Sequence, residues 1–240
     1  GQRVLMIDLD PQGNTTSGLG MEVDDKSIYE VIMGRMKLTD VMEETEFKNL
    51  FIAGSDVRLA NAELELVEVE KREYRLKTAV QSVQQDFDFI FIDCPPSLGL
   101  LTINALGAAD SVLIPIQCEY YALEGVASLM NTISRVKKTI NPHLEIEGVL
   151  LTMLDGRTNL GLQVVDEVKK HFKKQVYATV IPRSVRLGEA PSHGEPIHVY
   201  DKRSAGCVAY VNLAKEVLKR NNIKVKEFLS LIHISEPTRP

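Results

Sequence analysis

The 240-residue sequence has no run near the roughly 18 consecutive apolar positions that a membrane-spanning helix requires. Its opening stretch, GQRVLMIDLD, is too short and too acidic to read as a signal peptide. Cysteine is scarce: Cys94, Cys118 and Cys207 stand too far apart for a zinc motif or a disulfide framework, and a reducing cytoplasm is the expected compartment. Excess positive charge is also lacking. With 28 basic against 33 acidic side chains the net charge is -5, which excludes a surface that is cationic throughout but leaves room for a local basic patch. What is present is ordinary for a globular chain, 44% hydrophobic and 25% charged, so disorder, collagen and coiled coil are excluded.

The hydrophobic pattern alternates between strand and helix. Continuous apolar runs predict strands at 3–8, 50–53, 87–93, 110–116, 146–153 and 176–181. Between and after them, helical spacing predicts helices at 27–36, 61–85, 98–109, 123–140, 160–173 and 205–220. In the long charged helix at 61–85, Leu64, Val67, Tyr74, Val80 and Val83 mark the expected apolar face. Strands so continuously apolar are covered on both faces, so the fold class is α/β: one doubly wound, mostly parallel sheet flanked by helices, filling residues 1–220 as a single domain. Residues 221–240, ending in LIHISEPTRP, continue no helical pattern and read as a frayed or foreign tail.

In open parallel sheets, ligands bind beyond the carboxyl ends of the strands. Two strands end there in acids followed by turn formers: Asp8-Leu9-Asp10-Pro11-Gln12-Gly13 and Asp93-Cys94-Pro95-Pro96-Ser97. One acid in that place is ordinarily a turn or helix-cap residue. Two in one sheet put carboxylates together at the crevice mouth, where a hard cation that keeps its waters could sit.

The segments RVLMIDLDPQGNTTSGLG, FDFIFIDCPPSLGLLTINAL, PIQCEYYALEG and VIPRSVRLGEAPSHGEPI resemble, in order and spacing, the ParA/Soj family of DNA-partitioning ATPases. These are P-loop proteins with a deviant Walker A motif, related to MinD. The resemblance implies ATP and Mg2+ as cofactors, with Asp8 and Asp93 holding magnesium through its waters and Asp10 orienting the attacking water. Cys94, Pro95 and Pro96 would form the switch loop that senses the γ-phosphate, and Pro182 and Arg183 would lie near the adenine. It also implies a homodimer formed on ATP binding, and a surface including Arg157, Arg186, Lys202 and Arg203 that binds double-stranded DNA without sequence preference. A ParB/Spo0J-type protein would stimulate hydrolysis, and the location implied is cytoplasmic and nucleoid-associated, with no membrane partner.

The sequence departs from this pattern in one respect. A glycine-rich loop ending G-K-T-T occurs nowhere in it, so the expectation is a chain truncated ahead of its first strand, lacking a strand–loop–helix unit of roughly 30 residues. Without the loop's N–H groups and lysine, the carboxylates would repel ATP. Two other readings stay open: a MinD-like membrane-cycling ATPase, for which 219–229 offers a thin apolar face of Ile223, Val225 and Phe228, and an inactive fragment that keeps only protein contacts. Lys169, Lys170, Lys173 and Lys174 read as a solvated face, and the cysteines as small buried thiols rather than cluster ligands.

Overall fold

The computed structural model describes residues 1–119 and 122–224. Val225 and Phe228 of the thin amphipathic face, and most of the expected tail, lie outside the described residues. The chain runs β1 (Val4–Asp8), α1 (Asn14–Gly18), α2 (Ile28–Ile32), α3 (Leu38–Val41), β2 (Met42–Glu44), β3 (Leu50–Ala53), α4 (Leu59–Glu65) and α5 (Arg75–Gln81). It continues through β4 (Phe89–Asp93), α6 (Leu100–Ala108), β5 (Ser111–Gln117), α7 (Ala122–Thr139), β6 (Glu145–Leu154), α8 (Asn159–Phe172) and β7 (Val176–Pro182). Short helices α9 (Val185–Glu189) and α10 (Ile197–Tyr200) lead into α11 (Ala205–Arg220).

The α/β class holds, but the strands form two sheets: a four-stranded one ordered β2-β3-β1-β4 and a three-stranded one ordered β5-β6-β7. Pairing is parallel except where β2, a strand the sequence pattern does not suggest, runs antiparallel along β3. β4 and β5, joined by α6, are each hydrogen-bonded on one side only.

In the first sheet Val4 stands opposite Leu50 and Phe89, and Asp8 opposite Asp93. Side chains alternate between faces. Leu5, Ile7, Ile90 and Ile92 therefore share the face packed by α2, α4, α5 and α6, while Val4, Met6, Phe89 and Phe91 share the opposite one. On that opposite face Phe91 is 42% exposed and stacks on Phe89 at 5.9 Å. The second sheet is covered on both sides, by α7 and α8 through Ile133, Val136, Val168 and Phe172, and by α11 through Ala209 and Leu213.

The single helix expected at 61–85 is broken. Leu59, Ala62 and Leu66 bury the core face of α4, after which Lys71 takes a left-handed backbone (φ 54°) and a short 3-10 turn at Arg72–Tyr74 leads into α5. Leu64 and Val67 consequently face solvent instead of the core. The helix expected at 27–36 closes early because Gly34 turns left-handed (φ 75°), a conformation glycine adopts without steric cost.

Candidate nucleotide-hydrolysis site

Asp8 and Asp93 end neighbouring strands in register, so their carboxylates emerge side by side on one face of the sheet. The turn Asp10–Gly13 then reverses the chain. The Gly13 N–H donates to the Asp10 carbonyl, and Gly13 supplies the left-handed residue (φ 63°) that starts α1.

α1 is one short turn of helix that holds both acids. The Thr16 N–H and hydroxyl donate to Asp8 Oδ2 at 2.9 and 2.7 Å, and the Asp10 N–H donates to Asp8 Oδ1 at 3.2 Å. Thr16 Oγ1 in turn accepts from the Ser55 N–H at the end of β3, 3.0 Å away. The neighbouring Thr15 hydroxyl donates to Asp93 Oδ2 at 2.7 Å. Thr15, Thr16 and Ser55 are absent from the sequence-level site. An N-T-T stretch after glycine reads as a plain turn, and its partners lie 78, 8 and 39 positions away.

These contacts separate the acids by availability. Asp8 is fully buried and both its oxygens are engaged; burial pushes its carboxyl upward and the Asp93 charge adds to this, against the hydrogen bonds from Thr16 and Asp10. Asp93 keeps Oδ1 without a hydrogen bond among the described residues, as Asp10 keeps Oδ2 while Oδ1 accepts the Gln12 N–H at 3.0 Å. Among the described residues no three Asp, Glu, His or Cys side chains cluster closely enough to chelate a metal. The open carboxylate oxygen of Asp93 suits a hard cation held through its waters, which is how magnesium is usually bound.

The chain after β4 leads directly from this site. Cys94 buries its thiol, which donates to the Ile92 carbonyl; burial, with the Asp93 and Asp10 charges, pushes it up to about 12. Pro95 is half-buried and Pro96 exposed. The far end of the loop is anchored: the Leu101 N–H in the first turn of α6 donates to Glu63 Oε1 of α4 at 3.3 Å, and the Thr102 hydroxyl donates to the Ser97 carbonyl at 2.6 Å. Gly99 lies against the same carboxylate: a Cβ there would sit 2.2 Å from Glu63 Oε1 and push that side chain aside.

The expected basic residues gather in two places, each with acids among them. Arg157 and Arg183 follow β6 and β7, where the Arg183 N–H donates to the Leu154 carbonyl. Arg157 forks onto Asp155 at 2.9 and 2.8 Å, holding that carboxyl well below the usual carboxylate range, and Arg183 pairs with Glu119. Arg186 of α9 bonds Glu189 at 2.9 Å and pairs with Asp201 at 3.5 Å, beside exposed Lys202 and Arg203. Pro182 ends β7 immediately before Arg183. α1 and the Arg186 region meet through glycines: Gly20 and Gly194 are both left-handed, and a Cβ on Gly194 would sit 2.7 Å from the Gly20 Cα.

No described helix is long and apolar enough to cross a membrane. A family model described as an AAA domain matches residues 1–146. The chain is 58% identical over 219 residues to the sporulation initiation inhibitor protein Soj of Bacillus subtilis, covering 90% of this chain and 87% of that protein. It is 50% identical over 225 residues to the chromosome partitioning protein ParA of Myxococcus xanthus, covering 93% of this chain and 80% of the relative. Among solved structures it superposes on a cobyrinic acid a,c-diamide synthase from Mycobacterium smegmatis, crystallised with an ATP analogue and magnesium, with TM-score 0.79 and 36% identity over 92% of this chain and 84% of that one. Two in-register acids at the strand ends, a third in the turn beyond and relatives at this identity agree: the chain belongs to the ParA/Soj family of chromosome-partitioning ATPases.

Proposed function

We propose that this protein is an ATP-driven partition switch: it dimerises on ATP, binds DNA without sequence preference, and is reset when a ParB-type partner stimulates hydrolysis. The observation that supports this best is the carboxylate pair Asp8–Asp93, held by α1, with Asp10 in the turn that opens α1. Bound magnesium would neutralise phosphate charge. Asp93 would hold its waters through the open Oδ1, Asp8 would set the position of α1 from beneath, and Asp10 would orient the attacking water through Oδ2. Pro182 and Arg183 would line the base.

Arg157, Arg186, Lys202 and Arg203 would supply the phosphate contacts. Arg157 and Arg186 are ion-paired in the isolated chain, so DNA must displace Asp155, Glu189 and Asp201 from them. That exchange is a ready point of control, because charge pairs at such exposure are weak and screened by salt. The phosphate-holding lysine and glycine loop is the part the 240 residues do not supply. A parallel strand bonded to the unpaired edges of both β4 and β5 would join the two sheets and carry that loop to Asp8 and Asp93.

The test compares the 240-residue chain with the same chain carrying a strand–loop–helix unit ending G-K-T-T ahead of residue 1. The extended protein should bind arbitrary duplex DNA only with ATP and Mg2+, and the shorter chain should not respond to nucleotide. An extended protein that binds ATP and ignores DNA overturns the reading.

A further inference from the structure

Two segments far apart in the sequence touch through backbone alone. Gly20, just past α1, and Gly194, just past the 3-10 turn Ala190–His193, both take left-handed backbones, at φ 70° and 65°. A Cβ on Gly194 would lie 2.7 Å from the Gly20 Cα and 3.1 Å from its nitrogen, and one on Gly20 would lie 3.2 Å from the Gly194 carbonyl oxygen. No side chain stands at this contact to absorb a displacement by changing rotamer. Packed backbone has no such slack, so a shift of one segment must move the other or part the contact.

Each glycine is tied to a different functional feature. The Gly20 N–H donates to the Ser17 carbonyl at 2.9 Å and the Met21 N–H to the Thr16 carbonyl at 3.1 Å, so Gly20 extends α1, whose Thr15 and Thr16 hold Asp93 and Asp8. With only Thr16 buried, the five-residue α1 takes its position from the acids it bonds and from this contact. On the other side, the Gly194 N–H donates to the Pro191 carbonyl at 3.0 Å and the Glu195 N–H to the Ala190 carbonyl at 3.3 Å. His193 stacks on Tyr200 at 5.0 Å. The Tyr200 hydroxyl donates to Glu189 Oε2 at 3.2 Å, the same oxygen that accepts from Arg186 at 2.9 Å.

We infer that the Gly20–Gly194 contact is the joint through which the carboxylate site sets the pairing of Arg186, with both glycines as positioning residues for that arginine. A ligand on Asp93 that displaces the Thr15 hydroxyl moves α1. The 3-10 turn then moves with Gly194, and the bonds joining Tyr200, Glu189 and Arg186 are remade. Coupling free energies are reciprocal, so freeing Arg186 from Glu189 must likewise act on α1. The joint itself requires no nucleotide; only its use in exposing Arg186 to DNA phosphates rests on the partition-switch reading.

Amide hydrogen exchange followed by NMR on the 240-residue chain, read at the Met21 and Glu195 N–H groups, tests the joint. Thr15→Val, which removes the hydroxyl on Asp93, should speed exchange at Glu195 about threefold or more, and Glu189→Ala, which frees Arg186, should do the same at Met21. Gly20→Asn and Gly194→Asn introduce a residue that tolerates the left-handed backbone and add bulk at the contact. In either background both cross-effects should vanish; should one variant fail to fold, the other carries the test. Gly34→Asn, at a left-handed glycine facing the Arg75 side chain, should leave them intact. A merely structural glycine would alter exchange around itself and leave the cross-effects in place. Cross-effects that survive both glycine variants, or that are missing from the chain with its glycines unchanged, overturn the joint. In the extended protein the same two variants should bind ATP normally yet lose about tenfold in ATP-dependent DNA affinity. Retained DNA affinity overturns the link to Arg186. An extended protein that never binds DNA with ATP sinks the partition reading and leaves the exchange result standing.

Discussion

Replacing Thr16 by valine keeps the side chain's shape and removes only its hydroxyl. Two buried groups then lose a partner: Asp8 Oδ2 forfeits the 2.7 Å donor, and the Ser55 N–H forfeits its 3.0 Å acceptor. Losing a hydrogen bond to a charged group costs about 1.5–3 kcal/mol, and orphaning a buried donor about 1–3 kcal/mol, so Thr16→Val should destabilise the fold by about 3 kcal/mol. Thr16→Ser, which keeps the hydroxyl, should cost only about 1 kcal/mol for the lost methyl.

The pH dependence separates this from a packing defect. The Asp8 carboxyl is already raised above its unfolded value by burial, so its contribution is favourable in acid and is lost as pH rises through the folded-state value. Removing the Thr16 hydroxyl takes away a hydrogen bond that favours the ionised form and raises it further. The gap between wild type and Thr16→Val should therefore be widest at neutral pH and narrow towards about pH 4, near the unfolded aspartate value. Urea unfolding followed by circular dichroism at both pH values measures it. A gap below about 0.5 kcal/mol, or one that does not vary with pH, would refute the assignment of Thr16 as the group that stabilises ionised Asp8.

Glu216 of α11 accepts the Ala178 and Thr179 N–H groups of edge strand β7 at 2.8 and 2.9 Å, and pairs with Arg220. Burial would raise its carboxyl, but these donors hold it below the ordinary glutamate value, so its stabilisation is present above the unfolded pKa and lost as pH falls through the lowered one. Glu216→Gln should cost about 2 kcal/mol at neutral pH and much less in strong acid, read by thermal melts. The Cys94 thiol, pushed up to about 12 by burial and the nearby carboxylates, should resist iodoacetamide at neutral pH in the folded chain and react on unfolding, as mass spectrometry would show. In the extended protein, Arg186→Ala should weaken DNA binding equally for all sequences and lower the salt slope by about one; an unchanged slope removes that residue from the DNA surface.

The strands at 3–8 and 87–93, their terminal acids and the family were legible in the sequence, because a buried parallel strand is written as one unbroken apolar run and its acid-bearing turn follows directly. Legible too was the α/β class, from the alternation of such runs with helical spacing. Three things were decided only in three dimensions. The Asp8–Asp93 register and the Thr15–Asp93 and Ser55–Thr16 bonds join residues 85, 78 and 39 positions apart, and local periodicity carries no information about which strands become neighbours. The division into two sheets follows for the same reason, since nothing in the runs at 87–93 and 110–116 specifies whether consecutive strands pair. Leu64 and Val67 fit a helical apolar face in the sequence, but Leu59, Ala62 and Leu66 took the core. Two apolar sets along one helix compete for a single buried side, and only packing against the sheet chooses between them.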